Sequence, residues 1–258
     1  MKIVALIKYT PDSTADRAFS ADHTVDRANV PGLLSELDEY TVEQALQVAE
    51  ATGAEVTYLS MGPAGAVDAL RKALSMGGDG AVHIVDDRLH GSDALATSAV
   101  LATAARSLGF DLLLAGMAST DAGMGVIGSM VAEHLGIPQI SHAGELKVAG
   151  TQVTIERETD EGGWTVTGEL PAMVSVTDRT GPARYPSFKG IMAAKKKPVT
   201  TLTLDELGIP ADQVGLGAAR SNVTSITGRP PRQAGEKVKD EGDGGIKLAE
   251  FLTAHRFV

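Results

Sequence analysis

Residues 55–85 read EVTYLSMGPAGAVDALRKALSMGGDGAVHIV. Glu55–Ser60 has the apolar, aromatic and β-branched content of a strand, and Ala81–Val85 repeats it. Ala64–Met76 between them reads as a helix, with Gly77-Gly78 standing where a C-cap is expected. A strand, a helix and a strand in this span predict two parallel strands joined by a crossover helix. The rhythm extends outward in both directions. Ile3–Ile7 reads as a buried strand. A helix over about Leu37–Ala51 follows, because Val42, Ala45, Leu46 and Ala49 recur at i, i+3, i+4 and i+7. Ser35-Glu36-Leu37-Asp38 before it has the form of a capping box, with Ser35 as N-cap and a carboxylate three residues on. Further along come helix Ser92–Leu108, strand Asp111–Ala115 and a helix from about Ala122 to Leu135, with Gly109 and Gly136 at expected C-caps. Such alternation predicts an α/β fold, a parallel sheet with helices on both faces.

After Pro138 the pattern changes. Glu145–Val148, Gln152–Glu158, Trp164–Glu169 and Ala172–Thr177 read as strands without intervening helices, which predicts an antiparallel annex on the parallel sheet. From Gly181 the regular patterning stops. Pro198, Pro230-Pro231 and Asp240-Glu241-Gly242-Asp243-Gly244-Gly245 punctuate the remainder, and only Ile246–Phe251 regains helical spacing. A tail this poor in apolar residues cannot build its own core, so it drapes over the domain or over another chain. The expected organisation is a domain over residues 1–190 and an extended C-terminal arm over 198–258.

With 33 acidic against 23 basic side chains in 258 residues, the net charge is -10. That balance argues against a nucleic-acid binder, which needs a basic face. No apolar run approaches the roughly 18–20 residues that span a bilayer. Met1–Lys8 is too short and too quickly recharged for a signal peptide, so a soluble, cytoplasmic protein without membrane insertion is expected. There is no cysteine. Disulfides, thiol catalysis, Cys-ligated zinc and Cys-held iron–sulfur clusters are thereby excluded, and electron traffic would need an organic cofactor. His23, His83, His90, His134, His142 and His255 show no metal-ligand spacing. Neither a G-x-S-x-G elbow nor a Walker loop occurs. No catalytic constellation is visible, which favours a binding or carrier protein over an enzyme.

Gly123-Met124-Gly125-Val126-Ile127-Gly128 matches G-x-G-x-x-G, but it follows about the fourth strand at a distance of six residues. The dinucleotide fingerprint belongs on the first strand–helix turn. The wider stretch from Gly116 to Gly125 is a small-residue loop leading to a helix N-terminus, where free N–H groups attract a phosphate. A tightly packed loop with Asp121 as N-cap is the structural alternative. Met61-Gly62-Pro63-Ala64, the strand end at Ile7-Lys8 and Ser35–Asp38 can reach the same carboxyl edge of the sheet, and together these loops could hold one nucleotide. Glu156 and Glu158 share one face of a strand, by default a solvated one. In Arg184-Tyr185-Pro186-Ser187-Phe188-Lys189-Gly190-Ile191-Met192-Ala193-Ala194-Lys195-Lys196-Lys197-Pro198, the apolar Phe188, Ile191 and Met192 stand in a charged segment like an exposed anchor with a polar rim.

These separated motifs together resemble the beta subunits of electron transfer flavoproteins. The matching stretches are Ile3–Lys8, Asp38-Glu39-Tyr40-Thr41-Val42-Glu43-Gln44-Ala45, Gly62-Pro63-Ala64 and Ala73-Leu74-Ser75-Met76-Gly77. Ile155-Glu156-Arg157-Glu158, Pro171-Ala172, Ile191–Lys197 and Pro230-Pro231-Arg232-Gln233-Ala234-Gly235 complete them. The resemblance implies an adenine-nucleotide hydrolase-like, Rossmann-like domain that pairs with a larger alpha subunit holding most of the FAD. It implies an electron carrier without catalysis of its own. Such a carrier takes electrons from flavin dehydrogenases, such as the acyl-CoA dehydrogenases of fatty acid beta-oxidation. It passes them through an ETF-quinone oxidoreductase toward the respiratory chain.

The resemblance also implies a structural AMP. The matching positions are Leu6, Ser35, Glu36, Leu37, Asp38, Met61, Gly116, Met117, Ala118, Ser119, Thr120, Asp121, Ala122, Gly123, Met124, Gly125, Val126 and Ile127. The sequence departs from the family at Ser35-Glu36, usually Asn-Pro, and at Gly125–Ile127, where polar residues are common. Arg184–Lys197 looks like the family's recognition loop, with Phe188 at the anchor position for dehydrogenases beside Ile191 and Met192. The tail from about Thr200 would wrap the alpha subunit. Three alternatives remain: a bifurcating member with a second FAD in place of AMP, a universal-stress-type nucleotide module, and an NAD-dependent oxidoreductase.

Overall fold

The computed structural model describes every residue except Ala28, Gln233 and Glu236. Gln233 of the Pro230–Gly235 block therefore lies outside the described residues. The chain divides into two units, residues 1–224 and 225–258.

In the first unit the strands are β1 (Lys2–Leu6), β2 (Tyr9–Pro11), β3 (Gly32–Leu34), β4 (Glu55–Met61), β5 (Gly80–Ile84) and β6 (Leu112–Gly116). They continue with β7 (Gln139–Ala143), β8 (Glu145–Ala149), β9 (Gln152–Thr159), β10 (Gly162–Glu169), β11 (Ala172–Val176) and β12 (Val199–Leu202). The helices are α1 (Glu36–Thr52), α2 (Val67–Met76), α3 (Ala94–Leu108), α4 (Ile127–Leu135), α5 (Phe188–Ala194) and the short α6 (Gly215–Ala218). Seven strands form one sheet in the order β12-β5-β4-β1-β6-β11-β7. All of its pairings are parallel. β8, β9 and β10 form the separate antiparallel sheet, and β2 pairs with β3.

β1 shows why the sheet is covered on both sides. Ile3, Ala5 and Ile7 enter the core shared with α1 and α2. Val4 and Leu6 enter the opposite core, shared with α3 and α4. A strand buried on both faces reads as an unbroken apolar run. From β1 the chain moves outward through β4 and β5, then crosses back to β6 on the other flank. The order therefore switches between β1 and β6, the place where open α/β sheets bind ligands.

Several expectations are corrected here. Ala172–Thr177 does not belong to the antiparallel annex: β11 lies parallel between β6 and β7, and all five of its residues are buried. Its unbroken Ala-Met-Val-Ser-Val run is the signature of a central parallel strand, unlike the alternation of β10. The helix expected from Ala122 begins only at Ile127, because Gly123 and Gly125 take left-handed backbone angles. The domain does not end near residue 190. β12 adds a strand beyond β5, and Leu204 and Val214 are buried in the core on the α3–α4 side. Residues 199–224 therefore belong to the first unit, and the arm proper is 225–258. In that second unit α7 (Gly244–Ala254) leaves Ile246, Leu248 and Phe251 exposed.

The capping box at Ser35 does not form. Ser35 is the N-cap of α1 by backbone geometry, but its hydroxyl makes no cap bond. The Asp38 carboxylate instead reaches across to the sheet, accepting the Lys8 backbone N–H at 2.8 Å. The Gly116 backbone N–H also donates to it. No side chain fits at Gly116, since a Cβ there would lie 2.5 Å from the Asp38 carboxylate. Burial pushes the Asp38 carboxyl up to about 7, only partly offset by those N–H bonds and the Lys8 charge. An unfolded aspartate loses its proton near 3.8. Between these values the folded chain holds the proton and the unfolded chain does not, so Asp38 makes stability fall as pH rises through that window. Asp38→Asn should flatten the slope of unfolding free energy against pH between about 4 and 7, read by urea denaturation. A variant that keeps the parent slope would assign it to another group.

Candidate functional site

The carboxyl ends of β1, β4 and β6 gather most of the residues expected at a nucleotide site. Ser35 N–H donates to Lys8 O at 2.9 Å, placing the start of α1 against the end of β1. Leu6, Met61 and Ile127 pack into one apolar cluster. Leu6, Ser35 and Asp38 are buried, so they build the wall behind the surface. Gly116–Asp121 are half-buried and Ala122–Val126 are exposed, forming the open side.

The loop from Gly116 to Ile127 is held along its length. Met117 N–H donates to Val176 O at 2.9 Å, and Gly123 N–H donates to Ser119 O at 3.0 Å. Gly125 has φ +67°, and a Cβ there would meet Met117 O at 3.2 Å. Asp121 is not an N-cap of α4. Its side chain is 1% exposed and ion-paired with Lys8 at 2.9 Å and with Arg27. Burial opposes its ionisation, but the Lys8 charge and bonds from Lys8, Arg27 and Ser119 hold it well below the usual carboxylate range. Lys8 Nζ also donates to Ser119 Oγ at 3.3 Å. Arg17 donates to Thr120 O at 2.8 Å, and the Thr10 and Thr120 hydroxyls are 3.1 Å apart.

Three cations, Lys8, Arg17 and Arg27, thus converge on this one loop of an acidic chain. α4 opens on Val126 without a side-chain cap and without an acid in its first turn. Uncapped N–H groups and a loop shaped by two left-handed glycines, with Lys8, Arg17 and Arg27 beside it, suit a phosphate. The turn between Gly116 and Ile127 therefore has the chemistry of a phosphate cradle. Local sequence carried no signal for Arg17 and Arg27. They lie on the excursion between β2 and β3, about a hundred residues from the loop they contact.

The Arg184–Lys197 block is fastened to the other face of α1. Glu43, with a side chain 7% exposed, accepts from Arg184 N at 3.0 Å, Nε at 2.7 Å and Nη2 at 3.0 Å. Gln44 donates to Thr180 O at 3.3 Å. The block is not a loop throughout: Ser187 Oγ accepts from the Gly190 N–H at 3.0 Å and opens the helix α5. Phe188, on its first turn, is 81% exposed, and Tyr185, Ile191 and Met192 are exposed beside it. Lys197 turns inward and donates to Leu74 O at 3.0 Å. Lys195 and Lys196 stay exposed. Among the described residues no cluster of His, Asp or Glu could hold a metal, and no helix is long and apolar enough to cross a membrane.

Comparison with known proteins matches the electron transfer flavoprotein domain to residues 22–207. The chain is 47% identical over 263 residues to the electron transfer flavoprotein subunit beta of Mycobacterium leprae, with 99% of each covered. It is 46% identical to that of Mycobacterium tuberculosis, again with 99% of each covered. With the corresponding subunit of Megasphaera elsdenii it shares 34% identity over the whole of both chains. The domain match spans well over half of the chain and the likeness runs end to end, so the chain belongs to the electron transfer flavoprotein family as a beta subunit.

Proposed function

We propose that the chain pairs with an alpha subunit holding most of one FAD, binds a structural AMP at the β1–β6 edge, and presents α5 to electron-donating flavin dehydrogenases. Acyl-CoA dehydrogenases are the expected donors and an ETF-quinone oxidoreductase the expected acceptor. The observation that carries the nucleotide assignment is the Gly116–Ile127 loop, with its two left-handed glycines, uncapped helix and three converging cations. Gly116–Ile127, Met61, Glu36 and Leu37 would face the nucleotide, supported from behind by Leu6, Ser35 and Asp38. The FAD, when bound, supplies the ring system that takes up and releases electrons. The chain's own part is to orient the partner surfaces. AMP is favoured over a second FAD because Asp121-Ala122-Gly123-Met124 lacks the Asp-Gly-Asp-Thr-like run of bifurcating members. The arm, residues 225–258, would pack on the alpha subunit through the apolar side of α7.

The test is the composition of the purified heterodimer. One FAD and one AMP per heterodimer are expected, and limited proteolysis should spare 225–258 in the complex but not in the isolated subunit. Two FAD without AMP would overturn the nucleotide assignment; equal cleavage in both preparations would overturn the arm's role. Phe188→Ala should slow reduction by an acyl-CoA dehydrogenase by about tenfold, the loss typical of a buried aromatic anchor, with flavin content and the heterodimer intact. Unchanged kinetics would remove Phe188 as the dehydrogenase contact.

A further inference from the structure

A seven-residue helix such as α5 does not hold its shape in water unaided. Its C-terminal end is nonetheless closed by contacts from α2. Arg71 Nη1 donates to Ala194 O at 2.6 Å and to Lys197 O at 2.8 Å. These are the carbonyls at the end of α5 and in the turn beyond it, where the backbone leaves acceptors unpaired and a cation is favoured. Lys197 Nζ returns the contact to Leu74 O of α2 at 3.0 Å. Between these bonds the two backbones meet directly: a Cβ on Gly190 would lie 2.3 Å from Ser75 O. A cleft of about 480 Å³ runs beside this contact, lined by Arg71, Lys72, Ser75, Ile191, Ala194 and Lys195. Leu70, Ala73 and Leu74 bury the inner face of α2 in the core, so Arg71 is not needed to seat α2 on the sheet.

We infer that Arg71 is a positioning residue for electron delivery, clamping α5 so that Phe188 is held ready for the dehydrogenase. The inference rests on the reading of Phe188 as the dehydrogenase contact. Without the clamp α5 samples conformations that do not present Phe188, and the apparent affinity falls by the fraction of time it is correctly placed. Both bonds come from the single Nη1 atom, so lysine at position 71 keeps the charge and offers its ammonium N–H groups to the same carbonyls from a shorter side chain.

The experiment compares Arg71→Ala, Arg71→Lys and Phe188→Ala in the intact heterodimer, assayed with an acyl-CoA dehydrogenase and by amide hydrogen exchange. Arg71→Ala should raise KM for the carrier about tenfold while leaving kcat and the FAD and AMP contents unchanged. Exchange should quicken over residues 188–197 and nowhere else, and Arg71→Lys should recover part of the loss. If Phe188→Ala impairs the reaction and Arg71→Ala does not, the inference falls and the reading of Phe188 stands. If Phe188→Ala is silent, that reading falls and takes this inference with it. A fall in kcat or in flavin content in both Arg71 variants would show a merely structural role and overturn the inference.

Discussion

One buried carboxylate holds the working edge of this domain together. Asp38 sits at the start of α1 and accepts the Lys8 N–H at the end of β1 and the Gly116 N–H at the end of β6. Those two strands flank the point where the sheet's order reverses. Their separated ends would otherwise leave buried backbone donors unpaired, which is costly. Asp38 satisfies both donors with one side chain, at the expense of burying an acid that ionises reluctantly. The surroundings tolerate nothing larger than hydrogen at Gly116.

Lys8 extends that junction outward. Its N–H serves Asp38 and its ammonium serves Asp121, so one residue links the buried start of α1 to the loop after β6. The two aspartates are a few residues apart in space yet titrate in opposite directions. At Asp38 burial outweighs the N–H bonds from Lys8 and Gly116 and the Lys8 charge, so desolvation wins. Asp121 is less deeply buried and has two cations against it, and their charge and hydrogen bonds outweigh the desolvation. The result is a loop braced by positive charge on a chain whose overall charge is strongly negative.

α1 also serves the opposite end of the functional surface. Asp38 fixes its first turn to the sheet, while Glu43 and Gln44, one to two turns on, hold Arg184 and Thr180. The segment Asp38–Ala45 therefore anchors both the carboxyl edge of the sheet at β1 and β6 and the approach to α5. α2 completes the arrangement through Arg71 and Lys197. An aromatic side chain as exposed as Phe188 is thus carried on a base tied to two helices of the core.

The sequence by itself determined the alternation of strand and helix, the open parallel sheet, the small-residue loop after β6 and the exposure of the apolar Phe188. These are local signals, set by side-chain periodicity and by glycine and proline. It also suggested a capping box that does not exist, because Ser-x-x-Asp reads identically whether the carboxylate turns back to its own helix or across to a strand. β11 was assigned to the wrong sheet because strand propensity says nothing of the neighbour a strand will pair with. β12 and α5 were missed because short elements carry too few residues for a period to show. Only the tertiary structure brought Arg17 and Arg27 to Asp121, Arg184 to Glu43 and Arg71 to the end of α5. These are charge pairs and carbonyl contacts between segments far apart in the chain. Which of the available cations meets which acceptor is decided by where the packed sheet and helices place them.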